Sequence, residues 1–156
     1  MKGIEFKNLD GSDLKIGIAK SRWNSFITDP LLEKCKQALL DSNVKEENII
    51  VYEVPGSYEL PFAASKLIKK QQVDAVVCLG SLIKGETMHF EYIAEAVTQG
   101  ITRLNLETDI PVIFGVLTCL TEEQAIERSS GKKNNGYEWG LSAIEMALLG
   151  KMQKDL

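Results

Sequence analysis

Four short apolar segments, at residues 15–19, 49–54, 75–79 and 112–117, constrain this chain more than any other feature. Each is rich in β-branched residues and lacks strict alternation, as expected of strands in a sheet covered on both faces. The stretches between them have helical period instead. The first opens with Asp29-Pro30, read as N-cap and first helical residue, and places Leu31, Leu32, Cys35 and Leu39 on one face. The second runs from about Pro61 through Ala64, Leu67 and Ile68. The third starts near His89 and carries Phe90, Ile93, Ala94, Val97, Ile101 and Leu104 at spacings of three and four. The fourth opens with Thr121-Glu122-Glu123-Gln124, a capping-box pattern, and the last runs from about Tyr137 to Met152. Strands alternating with helices predict an α/β fold, a three-layer αβα sandwich around a mainly parallel sheet.

At 156 residues the chain is sized for one domain, spanning 1–156. Apolar residues at 44% and charged residues at 26% exclude intrinsic disorder. A net charge of −4 argues against a nucleic-acid surface while allowing a small anion site. No apolar run is long enough to span a bilayer, and Met1-Lys2-Gly3-Ile4-Glu5 has no leader pattern, so a cytoplasmic location and no membrane partner are expected. Cys35, Cys78 and Cys119 are an odd, scattered set without a Cys-x-x-Cys pair, which predicts buried free thiols. With one histidine and no clustered ligands, no metal site is expected. Residues 3–7 alternate apolar and polar before a turn at Asp10-Gly11. They read either as a half-exposed strand seeking the sheet edge of another subunit or as a frayed terminus.

In open parallel sheets ligands bind at the carboxyl ends of the strands. Here those ends are residues 20–24, 55–59, 80–89 and 117–119, and the chemically informative side chains gather there. Gly80 and Gly85 are read as permitting backbone geometry closed to other residues. Thr87 just before a helix suggests either a simple cap or open amides that hold an anion. His89 follows that loop, where an imidazole can serve as acid or base or play a structural part. Trp23 is read as core packing or as a stacking platform, and Arg128 as a solvated helix charge or a phosphate ligand. Ser57 and Glu59 flank a turn and either cap a helix or bind a polyol. Phe114 within the fourth strand defaults to the core.

At these residues the chain closely resembles the lumazine synthase family. The resemblance rests on residues 54–61 (VPGSYELP), 84–92 (KGETMHFEY), 111–118 (PVIFGVLT), 123–128 (EQAIER) and 142–147 (SAIEMA), which follow one another in family order. It implies a flavodoxin-like four-stranded sheet and no cofactor. The implied reaction condenses 5-amino-6-(D-ribitylamino)uracil with 3,4-dihydroxy-2-butanone 4-phosphate to 6,7-dimethyl-8-ribityllumazine, in riboflavin biosynthesis. By the same resemblance, Trp23 stacks on the pyrimidine with Phe114 beside it. Ser57, Tyr58 and Glu59 bind the pyrimidine substrate and its ribityl chain. Ser81, Leu82 and Ile83 offer main-chain groups to the ring. Gly85, Glu86 and Thr87 hold the butanone phosphate with Arg128, and His89 is the acid–base. The family assembles as pentamers, in some members as a sixty-subunit shell able to enclose riboflavin synthase, with sites shared between subunits and Phe114 and Arg128 coming from the neighbour. Two departures stand out: Trp23 where phenylalanine is common, and Asn135 where lysine is frequent, with Lys132 and Lys133 nearby. The rival readings are a non-catalytic flavin- or nucleotide-binding module and a structural shell protein. Lys20-Ser21-Arg22-Trp23-Asn24-Ser25 suits neither a flavodoxin phosphate loop nor a receiver domain's acidic metal site.

Overall fold

A parallel ladder of four strands forms the middle layer of the computed structural model, which describes residues 3–152. The strands are β1 (Ile16–Ser21), β2 (Ile49–Val54), β3 (Ala75–Ile83) and β4 (Val112–Cys119), in the order β2-β1-β3-β4. All three pairings are parallel, with Ala19 level with Tyr52 and Cys78, and Cys78 level with Phe114. Helices α1 (Ser25–Asp41), α4 (Glu122–Ser129) and α5 (Gly136–Met152) cover one face, burying Leu31, Cys35, Leu39, Ala125 and Ile144 against Ile16, Ile18, Val77 and Leu79. Helices α2 (Leu60–Gln71) and α3 (His89–Thr108) cover the other, where Ala64, Leu67, Val97 and Ile101 meet Ala19, Val76, Cys78 and Val116. Alternate residues of each strand thus feed two separate cores, which is why the strands are apolar throughout rather than every second residue.

Close contact between α1 and α5 depends on two glycines one helical turn apart. A Cβ on Gly140 would stand 2.8 Å from the Cys35 carbonyl, and one on Gly136 would collide with that of Leu31. Asn134 ties the same corner, donating to the Pro30 carbonyl at 3.3 Å and accepting from the Gly136 N–H at 2.7 Å.

Four expectations need correction. The first helix starts at Ser25, so Pro30 lies inside it and Asp29 is no cap. Asn24, left-handed at φ 61°, turns the chain off β1, and its carbonyl accepts from Ile27 and Thr28 at 2.8 and 3.1 Å. The helix absorbs Pro30 near its start, where only the bond to the Phe26 carbonyl is forgone, beside a half-exposed residue. Second, β3 runs four residues beyond its apolar stretch, so residues 80–83 are strand rather than loop. Third, among the described residues no glycine has positive φ. Gly80 instead serves close packing, because a Cβ there would lie 2.6 Å from Ser57 Oγ and 2.9 Å from Leu60 Cδ1, while Gly85 faces open space. Fourth, Phe114 is not a core residue but 38% exposed on the outer strand. Residues 3–7 join no strand among the described residues.

Candidate active site

The sheet order changes direction between β1 and β3, and crevices at such a switch point are where open α/β sheets bind ligands. Local register makes this crevice chemically useful. β1 pairs with β3 only as far as Lys20 and Leu79, whereas β3 continues to Ile83 paired with β4 alone. Residues 80–83 therefore have one unpaired edge. Main-chain groups alternate along a strand: Leu82 turns toward β4, while Ser81 and Ile83 direct theirs into the crevice. Asn24 Nδ2 donates to the Ser81 carbonyl at 3.2 Å.

Trp23 stands at the other wall. Its N–H donates to the Pro55 carbonyl at 2.9 Å and that of Arg22 to the Val54 carbonyl at 2.8 Å, so the β1–β2 ladder carries the chain up to an indole that is 75% exposed. An exposed Trp is unusual on a surface with nothing to bind. The turn Ser57–Glu59 closes the crevice on the β2 side. Ser57 is buried with its Oγ lodged against Gly80, Tyr58 is exposed, and Glu59 stays half-buried beside Gly56. The hydroxyls of Ser21, Ser57 and Ser81 are all buried without partners, so the strand ends around the crevice carry unused polar capacity.

Residues 84–89, with Gly85, Glu86, Thr87 and His89, are exposed throughout. Thr87 is not the helix cap: Met88 occupies that position, and Thr87 Oγ1 accepts from the His89 N–H at 3.4 Å. The amides that open α3 otherwise face the loop, an arrangement suited to an anion. His89 is the first residue of α3, exposed at the same rim.

Two expected site residues lie elsewhere in the chain. Phe114 is level with Ala19 but two strands away, about 10 Å across the sheet, and Trp23 lies about 13 Å further along it. The Phe114 ring lines an open groove of about 560 Å³ between α3 and β4, together with Phe90, Glu91, Ala94 and Thr118. Arg128, in the last turn of α4, is on the opposite face of the sheet from α3. Its guanidinium donates to the Gln124 carbonyl at 3.0 Å and makes no ion pair among the described residues. Thr121 caps that helix as expected, accepting from the Gln124 N–H at 3.3 Å. Asn135 donates its N–H to the Arg128 carbonyl at 3.0 Å, and Lys133 pairs with Glu127 at 3.3 Å.

The thiols are sealed rather than poised. Burial pushes Cys35 and Cys78 up to about 12, and burial also raises Cys119 against the opposing pull of Arg128. Lys20 was not singled out by sequence, although a lysine inside an apolar strand is a visible signal. It is 4% exposed and pairs with Asp29 at 2.5 Å and Glu53 at 3.3 Å. Burial works against its charge, but the two carboxylates outweigh that and hold its pKa above the ordinary lysine value.

Residues 13–151 match the profile of a family described as 6,7-dimethyl-8-ribityllumazine synthase. The chain belongs to the lumazine synthase family. A protein of that name from Porphyromonas gingivalis is 48% identical over 143 residues, covering 91% of this chain and 89% of its own length. Another from Pyricularia oryzae is 42% identical over an alignment of 186 residues, covering 94% and 93% respectively. The match spans β1 to α5 and thus every wall of the crevice just described. Members of this family are transferases of riboflavin biosynthesis, and the all-parallel sheet flanked by helices accords with their fold. Among the described residues no helix is long and apolar enough to cross a membrane.

Proposed function

We propose that this chain makes 6,7-dimethyl-8-ribityllumazine in a crevice assembled from two copies of itself, within one domain that needs no cofactor. The uracil ring stacks on Trp23, which is solvent-facing and close to the open main-chain edge at Ser81 and Ile83. A strand edge offers a donor and an acceptor at fixed spacing, which suits a flat heterocycle with both on its rim. Leu82 lies between these two residues as apolar floor. Ser57, Tyr58 and Glu59 receive the ribityl chain, whose hydroxyls complement a carboxylate and a buried serine hydroxyl.

The butanone phosphate sits at Gly85, Glu86 and Thr87, against the open amides of α3. Its second anchor is Arg128 of an adjacent copy, whose guanidinium has no carboxylate partner among the described residues. Phe114 of that copy closes over the ring. The amine attacks the ketone to form an imine with loss of water. Removal of a proton from the adjacent carbon then expels phosphate, and ring closure loses a second water. His89 carries protons through these steps. Holding both reactants in register supplies much of the rate, as expected when two substrates are condensed in one site.

The observation that carries this reading is the split of the site. Trp23, the β3 edge and His89 converge on one rim, whereas Phe114 and Arg128 face outward from the β4 side. An outward-facing phenylalanine on an edge strand calls for a second copy. We accordingly read the assembly as a pentamer or as a shell of sixty, in the cytoplasm, with riboflavin synthase as a candidate guest. Residues 3–7 would join a neighbour's sheet.

Purified protein incubated with both substrates should generate lumazine fluorescence well above the uncatalysed background. The His89→Ala variant should lose at least about a hundredfold in turnover, and Trp23→Ala should mainly raise the KM for the pyrimidine. A wild-type rate equal to the blank would refute the activity. A fully active His89→Ala protein would remove the imidazole from it.

A further inference from the structure

The loop that would receive the phosphate is held by almost nothing of its own. Residues 84–89 are exposed, a Cβ on Gly85 would meet no atom within 4 Å, and one 3.4 Å bond from the His89 N–H to Thr87 Oγ1 is its internal tie. Its two ends are nevertheless joined. Lys84 continues the sheet, its N–H donating to the Cys119 carbonyl at 2.9 Å, and its ammonium is bonded and ion-paired to Glu91 in the first turn of α3. The same ammonium lies over the Phe90 ring, 5.9 Å from its centroid. A glutamate at the third helical position ordinarily reaches back to its own helix start; this one spans the loop instead.

The other side of Glu91 faces the groove against β4. Its Oε2 is buried without a donor, and the residue lines the groove beside Phe114 and Thr118 of β4. The bond from Lys84 holds its carboxyl below the usual carboxylate range, so it is charged where the pair forms. The two side chains flank His89 in sequence: one belongs to the strand end before the loop, the other to the helix turn after it.

We propose that Lys84 and Glu91 form a latch that sets the geometry of the phosphate loop and of the His89 imidazole. Both are positioning residues, acting through residues 85–89 rather than on a reacting atom. The latch also ties up the loop's lysine, leaving the phosphate to the helix amides and Arg128. This inference rests on the reaction and site proposed above.

The test is a double-mutant cycle on the assembled protein with Glu91→Gln, Lys84→Met and the pair combined. Each single variant should lower kcat by between about tenfold and a hundredfold, the loss that small misplacement of reacting groups produces. The KM for the pyrimidine should stay unchanged, because Trp23 and the β3 edge are untouched. The combined variant should be no worse than either single one, and the exchanged pair Lys84→Glu with Glu91→Lys should recover part of kcat. Should Glu91→Gln fail to assemble, Lys84→Met cuts the same bond from its more exposed end. Wild-type kcat in either single variant, or losses that multiply in the combined variant, overturns the latch. His89→Ala serves as the control: if it alone is impaired, the latch fails and the proposed site stands, whereas an inactive wild type would remove both.

Discussion

A site divided between copies can be tested by mixing two dead proteins. Let one variant be His89→Ala and the other Arg128→Ala, each first shown by sedimentation to assemble as the wild type does. Within one chain these residues belong to opposite faces of the sheet, His89 opening α3 and Arg128 closing α4. No hydrogen bond or ion pair among the described residues joins them. If every crevice takes its histidine from one copy and its arginine from the next, random co-assembly of equal amounts makes three kinds of crevice. About a quarter contain both native residues, about a quarter lack both, and the rest lack one. Each pure variant should retain below about one per cent of wild-type turnover, so the mixture should rise to about a quarter of the wild-type rate per chain. Lumazine fluorescence or phosphate release reads this directly after co-expression or co-refolding. The same mixture made from preassembled variants that cannot exchange should stay dead. No recovery in a demonstrably mixed assembly would refute the shared crevice, because a site within one chain cannot be repaired by its neighbour.

Gly115→Ala should destabilise the protein by about 1–3 kcal/mol in chemical denaturation, since the new Cβ would lie 2.5 Å from the Cys78 carbonyl and 3.0 Å from Trp139 Cε3. An unchanged midpoint would mean that β4 moves freely at this point. In native protein at pH 8 Cys35 and Cys78 should resist a thiol reagent, and all three cysteines should react after denaturation; rapid native labelling of either would contradict their burial. Tyr137 donates to Asp41 Oδ2 at 2.8 Å, which raises its pKa above the ordinary tyrosine value. The stabilisation is therefore complete below the unfolded value and is lost as pH rises through the higher folded one. Tyr137→Phe should be less stable than wild type at neutral pH, and that difference should shrink in strong alkali.

Hydrophobic pattern alone determined the layered α/β class of this chain, but not the order of its strands. Strand segments apolar on both faces demand helices above and below, and the helical stretches provide them, so the three layers and the free, buried thiols were legible without coordinates. The cap at Thr121 and the start of α3 at His89 were equally legible, although Asp29, read from the same kind of local signal, caps nothing. The motifs at residues 54–61 and 84–92 carried the family. Tertiary structure decided what pattern could not encode. That Pro30 lies inside a helix depends on Asn24 turning off β1, and that Gly80 is needed depends on Ser57, more than twenty positions away. Burial of Phe114 could not be judged from its strand, since only the sheet order places β4 at an edge. The open edge of β3, the ties of buried Lys20 and the grip of Glu91 on Lys84 arise in the same way. Each depends on which residues from separate segments become neighbours, and local periodicity contains no term for that.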